Sequence, residues 1–150
     1  MTKRLKLIVA YDGAAFAGWQ SQRHGNTIQD YLEHSFARVT GDRVRVHSAG
    51  RTDAGVHARA QCAHADLKQG LMRAARWPAA LNTSLPPTIR VLRCNFVSEK
   101  FHARYSAKGK IYRYRIWAGP ILPPSPQIVE NRKRTQFARF TLRERDGKAP

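Results

Sequence analysis

The sequence predicts an α+β domain in which a ferredoxin-like antiparallel sheet carries its helices on one face. Three observations lead there. Strand-length runs with apolar residues at alternate positions recur along the chain, as in Val44 and Val46 between Arg43, Arg45 and His47. Two stretches of helical period lie among them. The resulting order, β-α-β-β-α-β-β, suits a sheet layered with helices.

The first strand is Leu5–Tyr11, closed by the turn signal Asp12-Gly13. The loop from Ala14 to Gly25 carries Phe16, Trp19, Arg23 and His24. Its aromatic residues either plug the core or stack on bases. Asn26 or Thr27 opens a helix: Thr27 and Asp30 have capping-box spacing, Ile28, Tyr31 or Leu32, Phe36 and Val39 recur at helical intervals, and Gly41 stops it. The strand at 43–47 then leads into a glycine-flanked loop, and residues 61–67 return as its partner. A weaker helix over 69–82 is interrupted at Pro78, and Pro86-Pro87 close it. Strands follow at 89–94 and 110–117, the second with Tyr112, Tyr114 and Ile116 on one face.

Residues 120–126 hold four of the eight prolines and read as a boundary. From Gln127 to Pro150 there are seven Lys or Arg, three acids and no steady apolar period. That composition predicts a domain over 1–126 and a weakly ordered basic tail over 127–150, with a short amphipathic turn at Phe137–Leu142 as the alternative.

Composition narrows the partner. Twenty-seven basic residues against ten acidic ones give a net charge of +17 and a pI near 11.1. Such an excess points to a polyanion, above all nucleic acid. Cys62 and Cys94 stand alone in strand-like segments, and the six histidines show no ligand spacing, so neither a disulfide framework nor a metal site is predicted. No cofactor motif is present. The chain opens on a strand and has no long apolar run, which predicts a cytoplasmic protein that does not engage membranes.

The candidate for chemistry is Asp53, within Ser48-Ala49-Gly50-Arg51-Thr52-Asp53-Ala54-Gly55-Val56-His57-Ala58. Glycines bracket Arg51, Thr52 and Asp53, so the backbone can turn and hold the acid at a loop tip. Arg51 and Asp53 need not touch, but their spacing allows an ion pair that would keep the carboxylate ionised. The loop is either a hairpin with a surface salt bridge or a reactive carboxylate on a nucleic-acid-binding domain. Metal-free RNA cleavage asks for a pair such as two histidines, and glycosidase chemistry for two carboxylates. Neither pair is suggested.

Gly50-Arg51-Thr52-Asp53-Ala54-Gly55-Val56-His57-Ala58 resembles the active-site signature of TruA-type tRNA pseudouridine synthases. Tyr11-Asp12-Gly13 with Phe16-Ala17-Gly18-Trp19-Gln20 agrees in order and spacing. So do Phe101-His102-Ala103-Arg104 with Ser106-Ala107, and Lys110-Ile111-Tyr112-Arg113-Tyr114. The resemblance spans about residues 5–126. It implies the N-terminal half of a pseudouridine synthase fold, an RRM-like sheet, and isomerisation of uridine in the anticodon stem-loop of tRNA without cofactor. Asp53 would be the catalytic aspartate, attacking the flipped-out nucleotide or assisting its glycosidic cleavage. Arg51 would pair with Asp53 and help hold the base out. Tyr112 would stack on that base and help remove the proton from its new attachment carbon. Arg23, Arg59, Arg104 and Lys108 are candidate phosphate contacts.

The resemblance also implies a homodimer and a second, similarly folded half. The sequence runs instead into the basic tail without the later motifs. It therefore reads as a truncated, N-terminal half of such an enzyme, expected to bind tRNA weakly by charge and to isomerise little alone. The alternative is a basic RNA-binding module without chemistry.

Overall fold

The computed structural model describes residues 2–68, 71–115 and 135–139. Strand β1 (Thr2–Tyr11) is the centre of the sheet. Its Leu5, Leu7, Val9 and Tyr11 point to one face and are buried there. It pairs antiparallel with β3 (His57–Lys68), from Thr2 opposite Lys68 to Tyr11 opposite Ala58. On its other edge it pairs antiparallel with β4 (Ile89–Val97). Short β2 (Val46–Ser48) lies antiparallel on the far edge of β3. The order β4-β1-β3-β2 is the ferredoxin-like arrangement expected from the element order.

Helix α1 (Ile28–Thr40) begins where Thr27 caps it, the Thr27 hydroxyl accepting the Asp30 N–H at 3.2 Å. Gly41, in the left-handed region, closes the other end with its N–H on Ala37 O. The apolar stripe Ile28, Leu32 and Phe36 is fully buried. It packs with Trp77 and Leu81 of helix α2 (Trp77–Asn82) onto the β1 face. α2 is shorter than the helix expected over 69–82. Leu71–Arg73 are not helical, Ala74–Arg76 form one 3-10 turn, and α2 proper starts with Pro78 in its first turn. Proline's missing N–H is tolerated only there. Gln69 and Gly70 lie outside the described residues.

β2 is likewise shorter than its sequence pattern. It begins at Val46, opposite Ala65, where the Val46 N–H donates to Glu33 of α1 at 3.0 Å and the Val46 carbonyl accepts from Gln29 at 3.3 Å, so helix side chains hold the first residue of the strand. β3 is longer than expected and starts at His57.

The face away from the helices is covered by residues 98–106. Phe101 and Ala103 pack there on Ile8 and Cys62. Arg4 donates to Glu99 O and Phe101 O, each at 2.7 Å, and makes a two-pronged ion pair with Asp66 across β3.

Two further strands extend the sheet to β4-β1-β3-β6-β5. β5 (Ile111–Arg115) pairs antiparallel with β6 (Thr135–Arg139), and β6 pairs parallel with β3. The parallel ladder departs from the all-antiparallel expectation. Strand β6 also lies inside the segment read as a tail, and its extended backbone replaces the amphipathic turn over 137–139. β2 does not reach the stretch His57–Ala60, so the edge of β3 there is open to a further strand, and β6 takes it. The proline-rich boundary at 120–126 and the rest of the tail, 127–134 and 140–150, lie outside the described residues. Among the described residues no helix is long and apolar enough to cross a membrane.

Candidate active site

The Asp53 loop joins β2 to β3 and is held from three sides. Its start is fixed by the Ala49 N–H on Cys62 O at 2.8 Å and by the Gln61 side-chain amide on Gly50 O at 2.7 Å. Its middle is held by Thr52. The Thr52 carbonyl accepts the Trp19 N–H at 2.9 Å, and its hydroxyl meets the Tyr11 phenol at 2.8 Å in a buried contact. Its end is a turn in which the Val56 N–H donates to Asp53 O at 3.1 Å and the Gly55 N–H to Phe16 O at 3.3 Å.

The clamp works because the β1–α1 loop lies backbone to backbone against it. A Cβ on Gly13 would sit 1.9 Å from Val56 O, and one on Gly18 would sit 2.6 Å from Thr52 O. Gly18 also has φ +95°, so only glycine fits it without strain. Phe16 and Trp19, both buried, serve as core plugs that fix this loop.

Thr52 is thus pulled inward, and its neighbours Arg51 and Asp53 stand exposed. No ion pair joins them among the described residues, so the pair that their spacing allows and the resemblance implies is not formed. The physical reason is that both side chains are in water, where pairing gains little. The closest approach of acid and base nearby is instead Asp12 with His57, whose Nδ1 lies 2.8 Å from Asp12 Oδ1. The same Nδ1 also lies 3.3 Å from the Gly13 N–H, so His57 touches both residues of the turn that closes β1. Burial pushes the Tyr11 phenol up to about 12, so it is neutral at working pH.

Beside Arg51 opens a cavity of about 510 Å³ between Ser48 of β2 and the His102–Tyr105 turn. Arg51 and Arg104 both line it, so the fold brings together two residues 53 positions apart in the chain. Asp53, two residues from Arg51, is at most about 7 Å away along the backbone. Tyr112 stands half exposed on β5. It is in register with Ala138 of β6, itself opposite Ala58 of β3, so Tyr112 and Ala58 share one row across the sheet. Two strand spacings, about 10 Å, separate them. Arg23 is exposed in the turn at Gln22–Gly25, Arg59 is exposed on β3, and Lys108 is exposed in the segment before β5. None of these three lines the cavity.

Sequence reasoning passed over several residues that build the site. Tyr11, Thr52 and Gln61 do so by side-chain hydrogen bonds to the loop. Arg45, His47 and Lys110 do so by lining the cavity. A phenol at the end of a strand gives no signal of its function. The clustering of cations from 45, 51, 104 and 110 exists only once the sheet is folded.

The fold is thus a ferredoxin-like domain that presents a clamped, exposed carboxylate beside a basic and aromatic cavity. Residues 7–106 match the family model described as tRNA pseudouridine synthase. The chain belongs to that family. It is 52% identical over 122 residues to tRNA pseudouridine synthase A of Akkermansia muciniphila, covering 81% of this chain and 46% of that protein. It is 48% identical over 115 residues to the protein of the same name from Maridesulfovibrio salexigens, covering 77% and 42%. It is 40% identical over 126 residues to tRNA pseudouridine synthase A 1 of Desulfotalea psychrophila, covering 84% and 50%. The chain spans about half the length of these relatives. The family match contains the whole Asp53 loop and the His102–Tyr105 turn; Tyr112 lies beyond it.

Proposed function

We propose that this chain carries the catalytic-aspartate part of a tRNA pseudouridine synthase and acts on uridine in the anticodon stem-loop. The observation that carries the reading is Asp53: its backbone is clamped by Thr52, Gly55 and Val56 while its carboxylate is left exposed at the loop tip. A fixed backbone with a free reactive oxygen is what a positioned nucleophile needs. The reaction is an isomerisation. The bond from ribose to the base nitrogen breaks, the base turns, a bond to a ring carbon forms, and that carbon gives up its proton. The nitrogen released from the ribose takes up a proton in turn, so atoms balance without a co-reactant.

In this reading Asp53 attacks the flipped-out nucleotide or assists its glycosidic cleavage. Arg51, at the mouth of the cavity, helps hold the base out of its stack. Tyr112 stacks on the base and helps take the proton. Arg23, Arg59, Arg104 and Lys108 add phosphate contacts, whose strength falls with salt. Residues 1–126 act as the domain, in the cytoplasm, with a homodimer as the working assembly. Asp53, Arg51 and Tyr112 all face solvent, and an open site neither excludes water nor fixes a base. Turnover by these residues alone is therefore slow.

The test is to incubate the purified chain with tRNA and measure pseudouridine. Formation that Asp53→Ala abolishes, with RNA affinity unchanged, supports the reading. Product that survives Asp53→Ala refutes it. No product from either chain, with salt-sensitive RNA binding intact, favours a basic RNA-binding module, which the net charge of +17 equally supports. Fast turnover would refute the slow, open site.

A further inference from the structure

The turn at His102–Ser106 is built to present two side chains. The Ser106 N–H returns to His102 O at 2.8 Å, and the His102 N–H donates to Ser106 Oγ at 3.0 Å. The His102 ring caps the turn from inside, its Nδ1 lying 3.2 Å from the Arg104 N–H and 3.4 Å from the Tyr105 N–H. With both backbones fastened, Tyr105 is nevertheless 80% exposed. Its ring lies 4.4 Å from that of His102 with 34° between planes, and His102 in turn meets His64, which stacks on His47 at 5.1 Å. An aromatic ring backed on one side and bare on the other is a stacking platform.

Charge surrounds the platform. The same 510 Å³ cavity is lined by Arg45, Arg51, Arg104 and Lys110, and among the described residues no Asp or Glu lines it. Arg45 has a partner in Glu33 at 3.7 Å; among the described residues neither Arg51 nor Arg104 pairs with a carboxylate. The volume falls in the range of about 300–1,000 Å³ usual for small-ligand sites. Asp53 does not line it. A ligand there sits beside the carboxylate rather than under it.

We propose that this cavity is a subsite for a nucleotide flanking the target, its base stacked on Tyr105 and its phosphate held by Arg104, Arg51 and Lys110. The proposal rests on the reading of the chain as RNA-directed. Stacking is indifferent to base identity, so the subsite accepts any nucleotide next to the uridine.

The experiment uses the full chain and single-stranded tetraadenylate, which contains no uridine to isomerise. Tetraadenylate is expected to bind. Tyr105→Ala should weaken it roughly 5- to 150-fold, while Tyr105→Phe keeps the ring and the affinity. Arg104→Glu should weaken it and lower the salt slope by about 0.7 for each phosphate that is no longer neutralised. Asp53→Ala should bind as the parent chain does. Failure of tetraadenylate to bind, or equal binding by Tyr105→Ala, overturns the subsite. Circular dichroism of each variant ensures that a weaker affinity is not unfolding. Because the probe cannot react, failure of the aspartate reading would leave these results unchanged.

Discussion

His64 on β3 accepts the backbone N–H of Ala103 on its Nδ1, 3.1 Å away, and this bond fastens the turn that carries Arg104 and Tyr105 to the sheet. The ring is 1% exposed. A nitrogen that accepts cannot also be protonated, so His64 is the neutral imidazole with its proton on Nε2. Burial, and then the positive charges of Arg4, His102 and His47, lower its pKa to about 4, with Asp66 opposing them. His102 is shifted down for the same reasons, burial first.

The sign of the pH dependence follows. Unfolded, His64 takes up its proton near pH 6.5; folded, it resists until about pH 4. The unfolded chain binds more protons in between, so stability is full above pH 6.5 and falls as pH drops toward 4. At about 1.4 kcal/mol per pH unit, the loss amounts to roughly 3 kcal/mol. Urea unfolding from about pH 7 to about pH 4.5 should show it. His64→Gln, which keeps an acceptor for Ala103 but does not titrate, should flatten that slope. His64→Leu should also flatten it, at a cost of about 1–3 kcal/mol at neutral pH for the unpaired N–H. A slope unchanged in both variants would refute the assignment.

Glycines 13 and 18 should be intolerant for a backbone reason. The atoms a new Cβ would strike are carbonyl oxygens of Val56 and Thr52, at 1.9 and 2.6 Å, and neither can rotate away. Gly13→Ala and Gly18→Ala are each expected to cost about 3 kcal/mol or more and to displace the Asp53 loop. Gly25→Ala, at φ +67° with nothing within 4 Å of the new Cβ, should cost only about 1–2 kcal/mol. Thermal unfolding of the three variants gives the ranking.

That contrast also shows what was legible beforehand. The Thr27 cap, the Gly41 stop, the strand ending at Tyr11 and the Asp53 loop rest on local rules and stand in the sequence as they stand in the fold. The start of β2 at Val46 does not, since the side chains that hold that residue, Glu33 and Gln29, come from another element. Nor does the cavity, since Arg45, Arg51, Arg104 and Lys110 meet only through tertiary packing. The expected Arg51–Asp53 pair failed because spacing says nothing of Thr52 being pulled between them toward Tyr11. Strand β6 was hidden because its ladder partners, residues 57–60 on one side and 111–115 on the other, are distant in the chain.

Arg4 ties three segments at once. It makes two 2.7 Å bonds to Asp66 and two to the carbonyls of Glu99 and Phe101. The hydrogen bonds to Arg4 lower the pKa of Asp66, so this contribution is present above about pH 3.8 and is lost as acid protonates the carboxylate. Asp66 is 43% exposed at its side chain, and solvent screening makes that ionic part small. The carbonyl bonds carry more. Arg4→Met should therefore cost about 1–3 kcal/mol, while Asp66→Asn should cost under about 1 kcal/mol. Denaturation of both at neutral pH checks the order; a larger loss for Asp66→Asn would mean the ion pair dominates.

Tyr11 and Thr52 should be coupled through a single buried bond of 2.8 Å. Tyr11→Phe removes the hydroxyl and leaves the Thr52 oxygen with its partner gone, at a cost of about 1 kcal/mol. Thr52→Val should cost a similar amount, and the double variant less than the sum, because the second change removes a group already unpaired. The function of this bond is to hold the residue before Asp53. Under the proposed function, pseudouridine formation should therefore fall in each single variant while affinity for RNA stays level. Hydrogen exchange at the Trp19 N–H, which rests on Thr52 O at 2.9 Å, should quicken in step. Protection of Trp19 that is unchanged in Tyr11→Phe would mean the backbone contacts at Gly13 and Gly18 hold the loop without help from the phenol.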